Sequence, residues 1–476
     1  MSDPRVIMLE FNELAPSLMA RFIGQGLLPN FKRLHDESHV HLTEAAERAP
    51  DLDPWIQWVT VHSGANYAEH GISRLNEGHT FERKRIWDLI SDSGRRVWVC
   101  GSMSVRYETP INGWVLPDPW ATKVAPYPAS LEPFFSFVQK NVLEHTNERL
   151  PLSRADYTNF GRFMLANGLS ASTVASILRQ LRAERKDKCR WKRATLLDRI
   201  QFDVFSSHYR RAKPHFSTFF LNSTAHYQHM YWRAMEPEVF KVQPSAEERQ
   251  QYGGAILYGY QQMDELVGKF MRLAGTDATL VLCTALSQQP CLKFEEQGGK
   301  SFYRPVDFHK LLAFAGVKVK HTVSPVMAEQ FFLYFETEQD ARTAERQLSA
   351  LRLDGRPVLL LQRDGSAIFS GCQLFERIPR DAVMNLESTG AAMPFFEAFY
   401  QVEGTKSGMH HPDGLLWIRT PGREHRAHSA KVPLSAVPRR ILEMFSIAPP
   451  PSMRDDAPAT APLVTEPPAR ELTATR

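Results

Sequence analysis

Paired cysteines, long apolar runs, phosphate-cradling glycine loops and a surplus of either charge are all missing from this chain. Its 476 residues hold five cysteines, Cys100, Cys189, Cys283, Cys291 and Cys372, with no CxxC pair. Neither a disulfide framework nor a thiolate metal site is therefore implied, and Cys283, inside an apolar run, reads as buried and inert. No apolar stretch approaches the roughly 20 residues needed to span a bilayer. The N-terminus, MSDPRVIMLEFNEL, lacks a basic segment followed by an apolar one, so no signal peptide is expected and a cytoplasmic location is. With 57 Lys+Arg against 53 Asp+Glu the formal charge is +4. That balance gives no general polyanion signal, and no motif supports nucleic-acid binding. Neither GxGxxG nor Walker spacing occurs, and Ser63 lies outside a GxSxG context, which leaves a serine-hydrolase reading poorly supported. After Ile447 there is no aromatic residue, and residues 449–476 contain seven prolines. Such a segment buries too little apolar surface to offset its ordering entropy, so a disordered tail is expected there.

What is present is ordinary globular composition, 43% hydrophobic and 23% charged, with 17 histidines as candidate ligands or acid–base groups. The first third alternates short apolar runs with helical patterns. Strands are expected at Arg5–Phe11 and Arg96–Cys100, and helices at about Ala15–Ile23 and Ile86–Ser91. Further strands are expected at His215–Leu221, Thr279–Thr284 and Leu415–Arg419, a long helix near Ala246–Leu273, and a last helix at Pro438–Phe445. Short buried strands separated by helices predict an α/β fold with a mostly parallel central sheet sandwiched by helices. The core is expected in three pieces, 1–119, 213–290 and 404–448. A mainly helical insertion, 120–212, and a small α+β cap insertion, 291–403, interrupt it. The basic stretch Arg182–Arg193, seven Lys/Arg in twelve residues, reads first as a solvated helix face. A docking surface for an acidic partner, polysaccharide or lipid headgroup is the lesser reading.

In an open α/β sheet, ligands bind beyond the carboxyl ends of the strands. That rule selects Glu10-Phe11-Asn12, Asn222–His229, Thr284–Gln289 and Met409–Asp413. Glu10, His226, His229, His410 and His411 are the metal-binding or proton-moving groups there, and imidazoles with a carboxylate from separate strand ends can converge on one cation. The helical stretch from Trp55 to His62 is a second cluster. Trp55 and Trp58 suit core packing, while Gln57, His62 and Arg74 could contact an anionic ligand near the helix N-terminus.

The segments LEFNEL, GLLPNFKRL, PWIQWVTVHSGANYAEHGI, NSTAHYQHMYW, GMHHPDGLLWI and VPRRILEMFSI resemble the alkaline phosphatase superfamily. Within it they are similar to the type I phosphodiesterase/nucleotide pyrophosphatase branch. The spacings Trp58-x5-Gly64-x5-His70-Gly71-Ile72 and His410-x3-Gly414 carry the resemblance, which runs from about residue 5 to 453. It implies an alkaline phosphatase-like α/β/α fold and, in ordinary members, two metal ions with a Thr or Ser nucleophile. The nucleophile's place is Pro54, beside Asp53, and the family's Ser-Asp-His-Gly stretch is Thr284-Ala285-Leu286-Ser287. The two-metal centre is thus not expected. One divalent metal, Zn or Mn, is expected on Glu10, Asn222, His226 and His410, with Asp53 or His229 as general base. Gln57, His62, Arg74 and His411 would contact the ligand, a small anionic molecule. Two readings follow. One is a divergent metallohydrolase or group transferase acting on a phosphoester or related anionic ester. The alternative is a catalytically inactive relative that binds a phosphorylated or sugar ligand or a protein partner.

Overall fold

In the computed structural model the chain is described over residues 3–144, 152–325 and 329–453. Its first strand, β1 (Val6–Phe11), is buried on both faces, as an apolar run flanked on both sides by neighbours must be. The others of the main sheet are β2 (His39–Glu44), β3 (Val97–Cys100), β4 (Gly113–Leu116), β5 (Phe216–Leu221), β6 (Thr279–Cys283) and β7 (Asp413–Arg419). Their order is β2-β7-β6-β1-β5-β3-β4, and two short strands, Arg426–Ala427 and Val432–Pro433, pair with the outer side of β2. The β1, β3, β4, β5 and β6 pairings are parallel, whereas β7 runs antiparallel to both β2 and β6. The mostly parallel sheet with helices on both faces is therefore the architecture present.

Alternation along β1 divides the core. Ile7, Leu9 and Phe11 belong to one apolar layer, with the helices Pro16–Gly24, Ala194–Ala212 and Ala255–Ala274. Val6 and Met8 belong to the other, with the helices Pro54–Ser63, Ile86–Asp92 and Val437–Met444. A third apolar cluster, from Tyr303 to Phe399, packs around small antiparallel sheets of its own. The buried ion pair of Arg233 with Glu295, 2.7 Å long, joins the approach to that region to the helix Ser223–Met235.

Three local readings differ from expectation. The segment expected as one long helix is two, Ala246–Tyr252 and Ala255–Ala274, because Gly253-Gly254 interrupts it. Strand β2 was not anticipated. Its sequence HVHLTE alternates, but with His and Thr where apolar residues would have marked a face. The expected tail lies outside the described residues from 454 onward, while Met453, inside its predicted range, is buried in the layer containing Trp58 and Val61.

Candidate functional site

The carboxyl ends of β1, β5 and β6 and the start of the antiparallel β7 all lie at one end of the sheet. There β1 runs into Asn12 and Glu13. Glu13 adopts φ 62°, the left-handed region that residues with a Cβ seldom occupy. The strain is held by its neighbours. Gln228 Nε2 donates to the Glu13 carbonyl at 2.7 Å, Tyr260 Oη donates to Gln228 Oε1 at 2.9 Å, and the Ala15 amide donates to Tyr260 Oη at 2.8 Å.

This turn aims the buried Glu13 carboxylate at two imidazoles. Glu13 Oε2 lies 3.0 Å from His229 Nε2 and 3.6 Å from His410 Nε2. His229 comes from the helix Ser223–Met235 that follows β5. His410 comes from the strand Gly408–His411, which pairs antiparallel with Ser287–Pro290 just beyond β6. Asp53, which precedes the helix Pro54–Ser63, does not cap that helix with its side chain and instead places Oδ1 3.4 Å from His410 Nδ1. Gln288 Nε2 donates to Glu13 Oε2 and, at 2.9 Å, to the Ala225 carbonyl. Asn12 Nδ2 donates to Glu13 Oε1 at 2.9 Å and to Asn222 Oδ1 at 2.7 Å, while its own Oδ1 accepts from Trp58 Nε1 at 2.8 Å.

The electrostatics follow from these contacts. Burial works to raise the Glu13 carboxyl. The charges of His229 and His410, with hydrogen bonds from His229 and Gln288, outweigh it and hold the group at about 2. Burial works to lower His410, and the Glu13 charge and then Asp53 overcome it, so this imidazole stays protonated above its ordinary value.

Ligand atoms of Glu13, His229 and His410 all lie within 4.8 Å of one another. Two donors on a tetrahedral zinc, with bonds of about 2.0–2.1 Å, stand roughly 3.3 Å apart. The two separations from Glu13 Oε2, 3.0 and 3.6 Å, bracket that value. In both imidazoles Nδ1 faces an acceptor, the Gly408 carbonyl at 3.3 Å for His229 and Asp53 for His410. That leaves each Nε2 turned toward Glu13, the outer-contact pattern that fixes a ligating tautomer. The donor set fits one divalent cation.

The predicted site residues divide accordingly. Asp53, His229 and His410 come together. Glu10 does not join them: the last residue but one of β1, it points into the sheet face, where its Oε1 lies 3.0 Å from His62 Nε2 and both side chains are fully buried. The carboxylate at the cluster is Glu13, which sequence reasoning missed; the signal was its place just past the end of a buried strand. His226 is exposed, its ring beside Tyr227 and Tyr231, and it does not join His229 at the cluster. Asn222 sits two hydrogen bonds from Glu13, through Asn12. His62 packs against Trp58 and Trp87. Gln57 is buried, with Nε2 3.5 Å from the Asp51 carbonyl. Arg74 lies 3.5 Å from Glu77 and 4.2 Å over the Phe332 ring. His411 Nδ1 accepts from the Asp413 amide at 3.2 Å.

Fold and site together define an α/β protein with a carboxylate–imidazole centre at the strand ends. No family model and no curated protein matches the chain. Among solved structures it is similar to murine ectonucleotide pyrophosphatase/phosphodiesterase 5, inactive, in complex with AMP, at 8% identity and TM-score 0.43, covering 94% of this chain and 96% of that one. It is similar, with the same coverage and TM-score and 11% identity, to phosphonoacetate hydrolase from Sinorhizobium meliloti 1021 in complex with phosphonoformate. Their TM-scores are below 0.5, so the fold stated above rests on this chain's own strand order.

Proposed function

We propose that this protein is a single-metal hydrolase or group transferase acting on a phosphoester or related anionic ester. The observation that carries the reading is the buried, ionised Glu13, held in a strained backbone conformation between two imidazoles whose Nδ1 atoms are both engaged elsewhere. Glu13, His229 and His410 would hold one divalent cation, Zn or Mn, and a bound cation would supply Lewis acidity toward an ester oxygen. Asp53 orients His410 and, partly exposed, is the carboxylate left to take a proton from a water or acceptor hydroxyl. Positioned bases of this kind contribute rate factors of about 10²–10⁴. Asn12 and Gln288 fix the Glu13 carboxylate, and Gln228 its backbone. A cytoplasmic location belongs to the same proposal, and the five free, buried cysteines suit a reducing compartment.

A second reading, a non-catalytic binder of a small anion, is favoured by one observation. Glu13 and Asp53 favour the protonated form of His410, a partly exposed donor at the cluster. Metal analysis separates the two. Protein purified without chelator or histidine tag should carry about one equivalent of zinc or manganese. Hydrolysis of aryl phosphate esters should be lost in His229→Ala and His410→Ala and kept in His226→Ala. No bound metal, with thermal stability unchanged on adding zinc, would sink the metallohydrolase reading.

A further inference from the structure

The helix Ala171–Ala183 leaves most of its large aliphatic side chains in solvent. It buries Thr173 and Gln180, and Gln180 Nε2 donates to the Cys189 carbonyl at 2.8 Å and to Glu184 Oε1 at 2.9 Å. Ile177 is half-buried with them, but three aliphatic side chains stand out in solvent: Val174, Leu178 and Leu181 are 38%, 61% and 45% exposed. Their spacing, i, i+4 and i+7, puts all three on one stripe. Of the ten large apolar residues exposed among the described residues, five lie between Tyr157 and Leu181. A soluble surface rarely gathers such a stripe without something to cover it.

The charge beside the stripe says what that something is. Residues 179–193 hold eight Lys or Arg and only two acids, Glu184 and Asp187. Two of the eight form ion pairs among the described residues, Lys188 with Glu247 and Arg193 with Glu184. Arg182 follows Leu178 by one helical turn and flanks the stripe directly. A second copy of the chain docked through a two-fold axis would set these cations against themselves. A nucleic acid would answer the cations and leave the leucines in water. An anionic bilayer answers both, with headgroups for the arginines and an acyl boundary for the aliphatic stripe. No helix among the described residues is long and apolar enough to cross a membrane, so the contact is one that lies on the surface.

We propose that the face formed by Val174, Leu178, Leu181 and the adjoining basic segment docks this protein on anionic lipid surfaces. This stands apart from the metallohydrolase reading, since none of these residues belongs to the Glu13 cluster. The test is co-sedimentation of the full chain with phosphatidylcholine vesicles and with vesicles of equal parts phosphatidylcholine and phosphatidylserine. Binding is expected to the second only, and to weaken as salt is raised. Arg182→Gln and Arg185→Gln should each weaken it about five-fold, the factor equivalent to about 1 kcal/mol per cation at such a surface. Leu178→Ser/Leu181→Ser should weaken it by roughly ten-fold or more at an unchanged melting temperature, because both side chains are already in water in the free protein. Binding to neither vesicle, or equal binding by the serine double variant, overturns the proposal. So does a dimer in sedimentation velocity that the same double variant dissolves, which would make a second copy the occupant.

Discussion

Replacing Glu13 with glutamine keeps the side chain's size and removes the one buried charge that both His229 and His410 face. The carboxyl is held at about 2 against an ordinary 4.5. At about 1.4 kcal/mol per unit that difference amounts to roughly 3 kcal/mol of stability at neutral pH. His410, which the Glu13 charge helps to hold protonated, can shed its proton more readily once the carboxylate is gone, which returns part of it, so a net loss of about 1–3 kcal/mol is expected for Glu13→Gln. The sign of the pH dependence follows from the direction of the shift. A carboxyl whose folded value is depressed stabilises the fold in full above its unfolded value. It loses that contribution as pH falls from about 4.5 through about 2. Urea unfolding followed by tryptophan fluorescence should therefore show the widest gap between wild type and Glu13→Gln near neutrality, and a shrinking gap in acid. The same variant leaves the two imidazoles as the only ligands and should weaken zinc binding by roughly 100-fold or more. Equal stability at neutral pH together with unchanged zinc uptake would refute the placing of Glu13 at the centre of the site.

Two further outcomes can be checked. Asp198, buried beside Ser223, has its carboxyl pushed up by burial to about 7, against the lowering effects of the Ser223 hydrogen bond and Arg199. The folded state then holds a proton that the unfolded state has already released, so stability falls as pH rises from about 4 to about 7. Asp198→Asn should gain on wild type over that range, by on the order of 4 kcal/mol at most, in thermal melts at a series of pH values. Gly408→Ala would place a Cβ 2.2 Å from Gln288 Oε1 and 2.4 Å from the Gln228 carbonyl, both on residues that hold Glu13. A loss of about 1–3 kcal/mol is expected, with zinc uptake falling in a calorimetric titration more than distance from the cation alone would cause.

The strand ends were legible from sequence because buried β-runs such as Val6–Phe11 and Phe216–Leu221 are unbroken apolar segments, and a site beyond their carboxyl ends follows from topology. The side chains at the site were less legible, for reasons of direction. Glu10 and Glu13 are three residues apart, yet one is inside a pleated strand facing a helix and the other is past its end on a left-handed turn. His226 and His229 are also three apart, nearly one helical turn, yet only the second lies against Glu13. Where a helix begins to turn, and whether a non-glycine residue tolerates positive φ, depend on partners such as Gln228 and Tyr260 that lie far away along the chain. Strand β2 escaped notice because its alternation is written in His and Thr, whose burial comes from packing against Asp413–Arg419 and the segment after it.

The strand order carries a consequence for how the molecule is made. Every sheet partner of β2 comes from the last part of the described chain: β7, then Arg426–Ala427, then Val432–Pro433. During synthesis from the N-terminus, β2 waits for more than three-quarters of the polypeptide before any neighbour exists to pair with it. His410 emerges in the same late stretch, so a nascent or truncated chain ending short of it has both an unpaired strand edge and an unfinished centre. Contacts so distant along the chain close slowly. The acidic turn at Glu13 is among the earliest residues made, and its imidazole partner at 410 among the last.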